Sequence, residues 1–168
     1  MSAAKQIEAF SARTEELLDR AEARCAEGGA RLTGLRRQVL GLILEARGPA
    51  GAYELMDRLR ERRGAAAPPT VYRALEFLQA QGLVHRIERL AAFVGCVEEV
   101  GHAHGHPAQF LICRQCGHVT ELEDHALAAA LSAAAGRVGF RVAGATVEAE
   151  GLCADCGRAG QPAAADVR

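Results

Sequence analysis

Two cysteine pairs constrain the fold of this 168-residue chain more than any other feature. Residues 113–117 read CRQCG and residues 153–157 read CADCG, so each pair has the spacing C-x-x-C-G. A tight turn allows both thiolates of a pair to reach one ion, and the glycine that follows allows the backbone to curl around the sulfurs. Two such turns predict a closed, tetrahedral, structural zinc site that ties the first strand of a C-terminal domain to its last segment. The four predicted ligands are Cys113, Cys116, Cys153 and Cys156.

The alternative for these pairs is a redox dithiol of the thioredoxin type, which needs one C-x-x-C motif at the start of a helix rather than two matched pairs. The N-terminus is polar and charged, and there is no run of about 18 apolar residues. The sequence therefore predicts neither a signal peptide nor a membrane span. We expect a cytoplasmic protein with no membrane partner, in which thiols stay reduced.

Charge is distributed unevenly along the chain, although the formal net charge is only −1. Residues 31–95 carry eleven arginines against six acidic residues, whereas residues 96–168 carry five arginines against nine acidic residues. All six histidines and five of the six cysteines lie from position 85 onward. The pattern favours a basic half that faces nucleic acid and an acidic half that is rich in metal ligands.

Hydrophobic periodicity predicts four helices in the first half of the chain and a mixed second half. The predicted helices are residues 5–26, a segment between the N-cap Thr33 and Gly48, residues 52–63 and residues 69–81. The predicted strands are 84–88 and 91–96, joined by a tight turn, then 110–113, 118–122 and 140–150, with a helix over 124–136 before the last one. Helices followed by a two-stranded ribbon predict a winged helix-turn-helix, whose fourth helix enters the major groove of DNA.

A second set of possible metal ligands lies around the predicted ribbon. His85 lies in its first strand and Cys96 ends its second strand, so the two side chains could be neighbours on antiparallel strands. Glu121 and the loop histidines His102, His104 and His106 offer further ligands, and thiolate with imidazole favours zinc over iron or manganese. Simpler interpretations stay open, since a cysteine on a strand is often a small core residue and a His-rich loop is often only solvated. The remaining cysteine, Cys25, is expected in the helical core.

Several motifs together resemble the ferric-uptake-regulator (Fur) family, in particular its zinc-sensing branch. They are RLTGLRRQVL, AYELMDRL, PPTVYRALEFLQAQGLVHRIE, the isolated Cys96 and the paired C-x-x-C-G motifs. The resemblance implies an α+β homodimer: an N-terminal winged helix-turn-helix followed by a small α/β dimerisation domain with the four-cysteine zinc site. The implied parts are a winged-helix DNA-binding domain (1–96), a His-rich hinge (97–108), a dimerisation and metal-binding domain (109–158) and a flexible tail (159–168).

The resemblance also assigns residues to the DNA interface. Tyr53, Tyr72 and Arg73 match positions that meet bases, and Thr70 matches one that seats the recognition helix on phosphate. The Arg73 guanidinium could donate two hydrogen bonds to a guanine, and the tyrosines could contact thymine methyl groups. Three further arginines are expected to touch phosphates: Arg36, Arg86 and Arg89.

The resemblance further implies a sensory zinc site across the hinge. Its implied ligands are His85, Cys96, His106 and Glu121, with His104 and His102 as alternatives to His106. Many iron- and peroxide-sensing members, and some zinc-sensing ones, have one more metal site. Its positions correspond here to Pro107, Gln109, Ala128 and Ala145, none of which binds metal, so this site is predicted to be absent.

These observations predict a zinc-responsive transcriptional repressor rather than an enzyme. Its homodimer would hold two Zn²⁺ per chain, one structural and one regulatory, and would bind palindromic double-stranded operators of zinc-uptake genes. No small-molecule substrate other than the metal is expected. The alternative is an iron, manganese or peroxide sensor of the same family, and a more remote one is a zinc-ribbon redox protein.

Overall fold

The structure, a computed structural model, describes residues 9–46, 48–64, 67–96 and 108–159. The chain divides into two compact units, residues 1–101 and 102–168. The hinge residues 97–107, with the three loop histidines, lie outside the described residues, as does the predicted tail from residue 160 onward. Within the described ranges, no helix is both long enough and apolar enough to cross a membrane.

Four amphipathic helices build the first unit, because each carries an apolar stripe at helical spacing. They are α1 (Ala12–Glu27), α2 (Gly34–Leu44), α3 (Ala52–Arg63) and α4 (Pro68–Ala80). The stripes meet in one core, whose buried members include Leu18, Leu40, Leu55, Leu59, Leu75 and Leu78. Cys25 is 2% exposed in the same core, in agreement with the packing role expected for it.

The helix starts correct the sequence-based boundaries. Helix α1 begins at Ala12, and the described residues 9–11 before it are not helical, because the Ser11 hydroxyl accepts a hydrogen bond from the backbone N–H of Thr14 and caps the helix there. Residues 5–8 of the predicted helix lie outside the described residues. Thr33 occupies the N-cap position of α2 as predicted, but its side chain makes no capping hydrogen bond. Helix α4 begins at Pro68, one residue earlier than predicted, and proline suits this first turn because its φ is already helical.

A small antiparallel sheet completes the first unit and contains the predicted ribbon. Its strands are β1 (Ala50–Gly51), β2 (Val84–Ile87) and β3 (Ala92–Gly95), in the order β1-β3-β2. The two-residue strand β1 was not predicted, because two residues give no alternation signal. The turn between β2 and β3 is longer than predicted: a 3₁₀ turn over Glu88–Leu90 is followed by Ala91 with φ 47°. The ribbon follows α4 directly, which is the arrangement of a winged helix.

The second unit is a three-stranded sheet with one long helix. Its elements are β4 (Ala108–Cys113), β5 (Val119–Leu122), α5 (His125–Arg137), β6 (Thr146–Gly151) and α6 (Ala154–Ala159). The strand order is β5-β4-β6, with β5 antiparallel and β6 parallel to β4. A parallel pair needs a long crossover, and the segment with α5 supplies it. A helical first unit with this sheet in the second confirms the predicted α+β class.

The second unit differs from the prediction in the bounds of its last strand and in a short additional helix. The last strand was expected over residues 140–150 but runs over Thr146–Gly151, because its pairing with β4 begins where β4 itself begins, at Ala108 opposite Thr146. The short helix α6 was not predicted. Its sequence contains Gly157, and glycine weakens the helix signal of so short a segment.

Candidate metal and nucleic-acid sites

Four cysteines converge where the two parallel strands of the second unit end. Cys113 is the last residue of β4 and lies in register with Gly151 at the end of β6, so the segments after the two strands start side by side. The turn after β4 carries Cys116, and the segment after β6 carries Cys153 and Cys156. All four Sγ atoms lie within 4.8 Å of one another.

The spacing of these sulfurs fits a tetrahedral zinc ion. Zn–S bonds of about 2.3 Å set the sulfurs of a tetrahedral site about 3.8 Å apart. The Sγ atoms of Cys116 and Cys153 are 3.8 Å apart. Four thiolates leave no open coordination position, so the cluster is suited to holding an ion structurally rather than presenting it to a substrate.

Hydrogen bonds shift the pKa values of two thiols in this cluster in opposite directions. Backbone N–H groups of Cys153, Cys116 and Gln115 lower the pKa of Cys113 to about 6. Hydrogen bonds with the thiols of Cys153 and Cys116 instead raise the pKa of Cys156 to about 12. Cys113 is therefore ready to bind a cation at neutral pH, whereas Cys156 must release its proton when a metal binds.

The glycines after the two cysteine pairs behave differently. Gly117 has φ 71°, in the left-handed region that favours glycine, as predicted for a backbone that curls around the sulfurs. Its N–H donates to the Cys113 carbonyl at 2.8 Å. Gly157 lies inside α6 without a positive φ, so the same role predicted for it is wrong.

A second pair of metal-ligand side chains lies on the ribbon of the first unit. A ring nitrogen of His85 on β2 and the Sγ atom of Cys96, directly after β3, lie within 4.8 Å of each other. The strands hold this pair, because β2 and β3 are antiparallel and the Cys96 N–H donates to the Leu83 carbonyl at 3.0 Å. Burial lowers the pKa of His85, so its imidazole is neutral at neutral pH, which is the form that binds metal.

The other predicted ligands of the sensory site lie in the second unit or outside the described residues. Glu121 lies on β5 of the second unit, where it is exposed and pairs in register with Phe110. His102, His104 and His106 lie outside the described residues. Within the first unit, the structure thus brings together His85 and Cys96.

At the position of the further family metal site, Gln109 forms a structural hydrogen bond, and Ala128 and Ala145 replace metal ligands. Gln109 is 4% exposed on β4, and its Nε2 donates to the Asp124 carbonyl at 2.8 Å. Asp124 is the N-cap of α5, where its Oδ1 accepts from two backbone N–H groups. Gln109 thereby ties β4 to the start of α5, while Ala128 and Ala145 offer no ligand atom. The sequence showed that ligands were missing here but not this amide contact.

One face of α4, together with Tyr53 on α3, carries the residues predicted to read bases and Thr70, which is predicted to contact phosphate. Thr70, Tyr72 and Arg73 are exposed, and Tyr53 is 77% exposed. The opposite face of α4 is buried in the core through Val71, Ala74, Leu75 and Leu78. Because the apolar face of α4 is packed in the core, its polar face is exposed to solvent.

The three arginines predicted on phosphates differ in their present contacts. The Arg36 guanidinium lies 3.5 Å from the centre of the Phe77 ring, and its Nη1 donates to the Arg31 carbonyl. Arg86 on β2 forms an ion pair with Glu88 at 3.3 Å, and Arg89 is exposed in the 3₁₀ turn. Arg36 thus packs α2 against α4.

Arg37 is a structural residue that the sequence reading missed. Its guanidinium binds the carboxylates of Glu15 and Asp19 at 2.7 Å and that of Glu22 at 3.1 Å, which ties α1 to α2. The three acids recur at helical spacing on one face of α1. This row of acidic residues indicates that α1 has a cationic partner, but it does not identify that partner as Arg37.

The chain is similar to known proteins over most of its length. The sequence model of the "Ferric uptake regulator family" matches residues 27–150. The "Zinc uptake regulation protein" of Escherichia coli (strain K12) is 41% identical over 143 residues, which cover 85% of this chain and 82% of that protein.

Two solved structures are similar over most of their length. A structure described as "Zinc Uptake Regulator Complexed With Zinc AND DNA" is 39% identical with a TM-score of 0.79, covering 87% of this chain and 96% of that one. The crystal structure of holo XcZur is 45% identical with a TM-score of 0.76, covering 85% and 98%. Sequence, fold and the cysteine cluster agree, and the chain belongs to the ferric uptake regulator family.

Proposed function

We propose that the chain is a zinc-responsive transcriptional repressor, whose zinc-loaded homodimer binds palindromic operators of zinc-uptake genes. The observation that carries the proposal is the pairing of His85 and Cys96 on the ribbon that directly follows the recognition helix α4. A metal bound there acts next to the element that reads DNA. The similarity to proteins named as zinc uptake regulators supports the same function.

The ligand types favour zinc over the other metals of the family. Thiolate and imidazole suit zinc, whereas manganese prefers carboxylate and other oxygen ligands. Gln109, Ala128 and Ala145 do not supply the further site that many iron- and peroxide-sensing members use. The iron, manganese or peroxide sensor is therefore the weaker alternative.

Each chain is proposed to bind two Zn²⁺ with separate roles. The cluster of Cys113, Cys116, Cys153 and Cys156 holds the structural ion. The sensory ion is held by His85, Cys96, Glu121 and His106, with His104 and His102 as alternatives to His106. These ligands come from the ribbon, the hinge and the second unit, so a sensory zinc ion held by them would cross-link the three parts.

The proposed mechanism is a shift in population between dimer shapes. Ligands drawn from both units would fix the angle between them when zinc binds, and this angle sets the distance between the two recognition helices. Half-sites one helical turn apart, about 34 Å, can then be bound together. Zinc would favour this DNA-competent shape over the others already present.

The second unit exposes many large apolar side chains, as a chain that forms a homodimer would. Val138 is 81% exposed and Phe140 is 66% exposed, and five leucines are exposed as well. The leucines are Leu111, Leu122, Leu127, Leu131 and Leu152. So many exposed apolar side chains on a small unit are typical of a surface that another chain covers. We propose a second copy, because a two-fold dimer matches a palindromic operator.

The proposed DNA interface divides into residues that read bases and residues that bind phosphate. Arg73 reads a guanine, and Tyr53 and Tyr72 contact thymine methyl groups. The exposed Thr70 seats α4 on a phosphate. The arginines Arg36, Arg86 and Arg89 bind phosphates, which adds affinity without sequence preference.

Replacing Arg73 with alanine is expected to relax specificity at one base pair of each half-site. A bidentate contact to guanine is worth about 1–3 kcal/mol of discrimination. Binding to the preferred operator should fall by the corresponding factor for each half-site, about 5- to 150-fold per half-site. Binding to an operator mutated at that base pair should change little. Competition binding with single-substitution operators measures this.

The matched control is Arg89→Met, which removes the same charge from the ribbon. It should weaken binding to all duplexes alike and lower the salt dependence of the affinity by about one unit of slope per half-site. A uniform loss with Arg73→Ala as well would assign Arg73 to phosphate instead of base.

A gel-shift titration across metals tests the function itself. Metal-free protein is loaded with zinc, iron(II) or manganese(II), and each form selects duplexes from a random-sequence library. We expect the zinc-loaded protein to select a palindromic duplex, and to do so at a lower free-metal concentration than the iron(II) or manganese(II) form. Binding that ignores zinc, or that needs iron alone, would exclude the zinc sensor. Catalytic turnover of a disulfide substrate would favour the redox alternative.

A further inference from the structure

An arginine of the N-terminal helix holds the end of the recognition helix. Arg24 lies in the last turn of α1 and is half-buried. Its Nη2 donates to the carbonyl of Gln81 at 2.6 Å and to that of Gly82 at 2.9 Å. The last carbonyls of a helix lack donors within the helix, and a cation there is also favoured by the helix dipole. Arg24 therefore caps α4 from another part of the chain.

The two carbonyls lie between the two functional elements of the first unit. Helix α4 ends one residue before Gln81, and β2, which carries His85, begins two residues after Gly82. Gly82 has φ 61°, in the left-handed region that favours glycine. The turn is held on α4 by the Gly82 N–H, which donates to the Gln79 carbonyl at 2.8 Å, and by the Leu83 N–H, which donates to the Leu78 carbonyl at 2.9 Å. The next residue, Leu83, accepts the hydrogen bond from the Cys96 N–H at 3.0 Å. This turn is thus the backbone connection between the His85–Cys96 pair and α4.

We propose that Arg24 is a positioning residue that makes the recognition helix and the metal-binding ribbon move as one piece. Without the two hydrogen bonds from Arg24, the turn at Gly82 keeps only its own backbone hydrogen bonds and yields to a displacement of the ribbon, so metal binding at His85 and Cys96 no longer orients α4. Coupling between sites needs an element with discrete arrangements that both sites bias. The inference rests on the proposed function, because it concerns how zinc binding is transmitted to DNA binding.

The test is the ratio of operator affinities with and without zinc. It is measured on a duplex that zinc-loaded wild-type protein selects from a random library, for wild type, Arg24→Met, Arg24→Lys and Arg20→Met. Allosteric ratios are typically about 5- to 150-fold. We expect Arg24→Met to bring the ratio close to one. Arg24→Lys keeps the charge and its donors on a compact, more strongly hydrated group, so it should retain part of the ratio. Arg20→Met removes a charge one turn earlier on α1 and should keep the ratio.

Two further measurements separate positioning from simple stabilisation. The zinc affinity of DNA-free Arg24→Met, measured by chelator competition, should equal that of wild type, because His85 and Cys96 are intact. In metal-free protein, amide hydrogen exchange at Leu83 and Cys96 should be faster in Arg24→Met than in wild type, because the turn is released.

The outcomes distinguish this inference from the proposed function. A zinc-dependent wild type with an unchanged ratio in Arg24→Met would overturn the inference and leave the function standing. If Arg24→Met does not fold, Arg24→Lys decides, and an unchanged ratio in that variant overturns the inference. A wild type whose DNA affinity ignores zinc overturns the proposed function, and the inference with it.

Discussion

Replacing Cys113 with serine is expected to unfold the second unit while the first unit keeps its helices. Cys113 is 4% exposed, and its sulfur is one of the four that converge beyond β4 and β6. Only Gln109, Phe110, Ile112 and Cys113 are buried among the described residues of this unit, so its own core is small. Structural zinc supplies about 10–16 kcal/mol in small zinc-binding peptides. This is comparable to the about 5–15 kcal/mol that holds a whole domain folded.

Circular dichroism, zinc analysis and sedimentation velocity check this result. The Cys113→Ser chain should lose strand signal, its structural zinc and the proposed dimer together. Cys25→Ala is the matched control, because Cys25 is equally buried but lies in the helical core of the first unit. That variant should keep all its zinc and the dimer. A Cys113→Ser protein that stays dimeric with its full zinc content would show that the cluster does not hold a structural ion.

Replacing Cys96 with serine is expected to abolish zinc-dependent DNA binding and to leave a folded dimer with one zinc per chain. Cys96 is only partly buried, so the fold loses little apolar contact when its sulfur is exchanged for oxygen. The sensory site loses its thiolate, the ligand that most favours zinc. The operator affinity with zinc should fall to that of metal-free protein, typically a loss of about 5- to 150-fold.

His85→Ala provides the paired variant for Cys96→Ser. If both residues bind the same ion, each variant should lose the same single zinc, and the double variant should lose no more. If Cys96→Ser unfolds the chain, Cys96 is structural and the division between the two proposed sites is wrong. If it keeps zinc-dependent binding, the sensory site lies elsewhere.

The family resemblance, the α+β class and the regulatory rather than enzymatic function were predicted from the sequence and are confirmed. Motifs with fixed spacing made this possible, since C-x-x-C-G and the continuous PPTVYRAL segment need no knowledge of distant contacts. The domain boundaries and the roles of individual site residues stay predictions.

Features that depend on distant partners could not be read from the sequence. The last strand starts at Thr146 because its parallel partner starts at Ala108, and no local pattern marks that register. Arg24 and the carbonyls it binds are far apart in sequence, so neither position identifies the other. Tertiary contacts decide such details, whereas local propensity only biases them.

The most direct measurement is the zinc affinity of the weaker site with and without operator DNA. Binding coupling is reciprocal, so if zinc favours the DNA-competent dimer, operator DNA must tighten zinc binding by the same factor. We predict two zinc ions per chain, of which only the weaker becomes tighter when a selected operator is added, while a scrambled duplex has no such effect. An affinity of the weaker site that is unchanged by the operator would contradict the proposal that this protein is a zinc-responsive repressor.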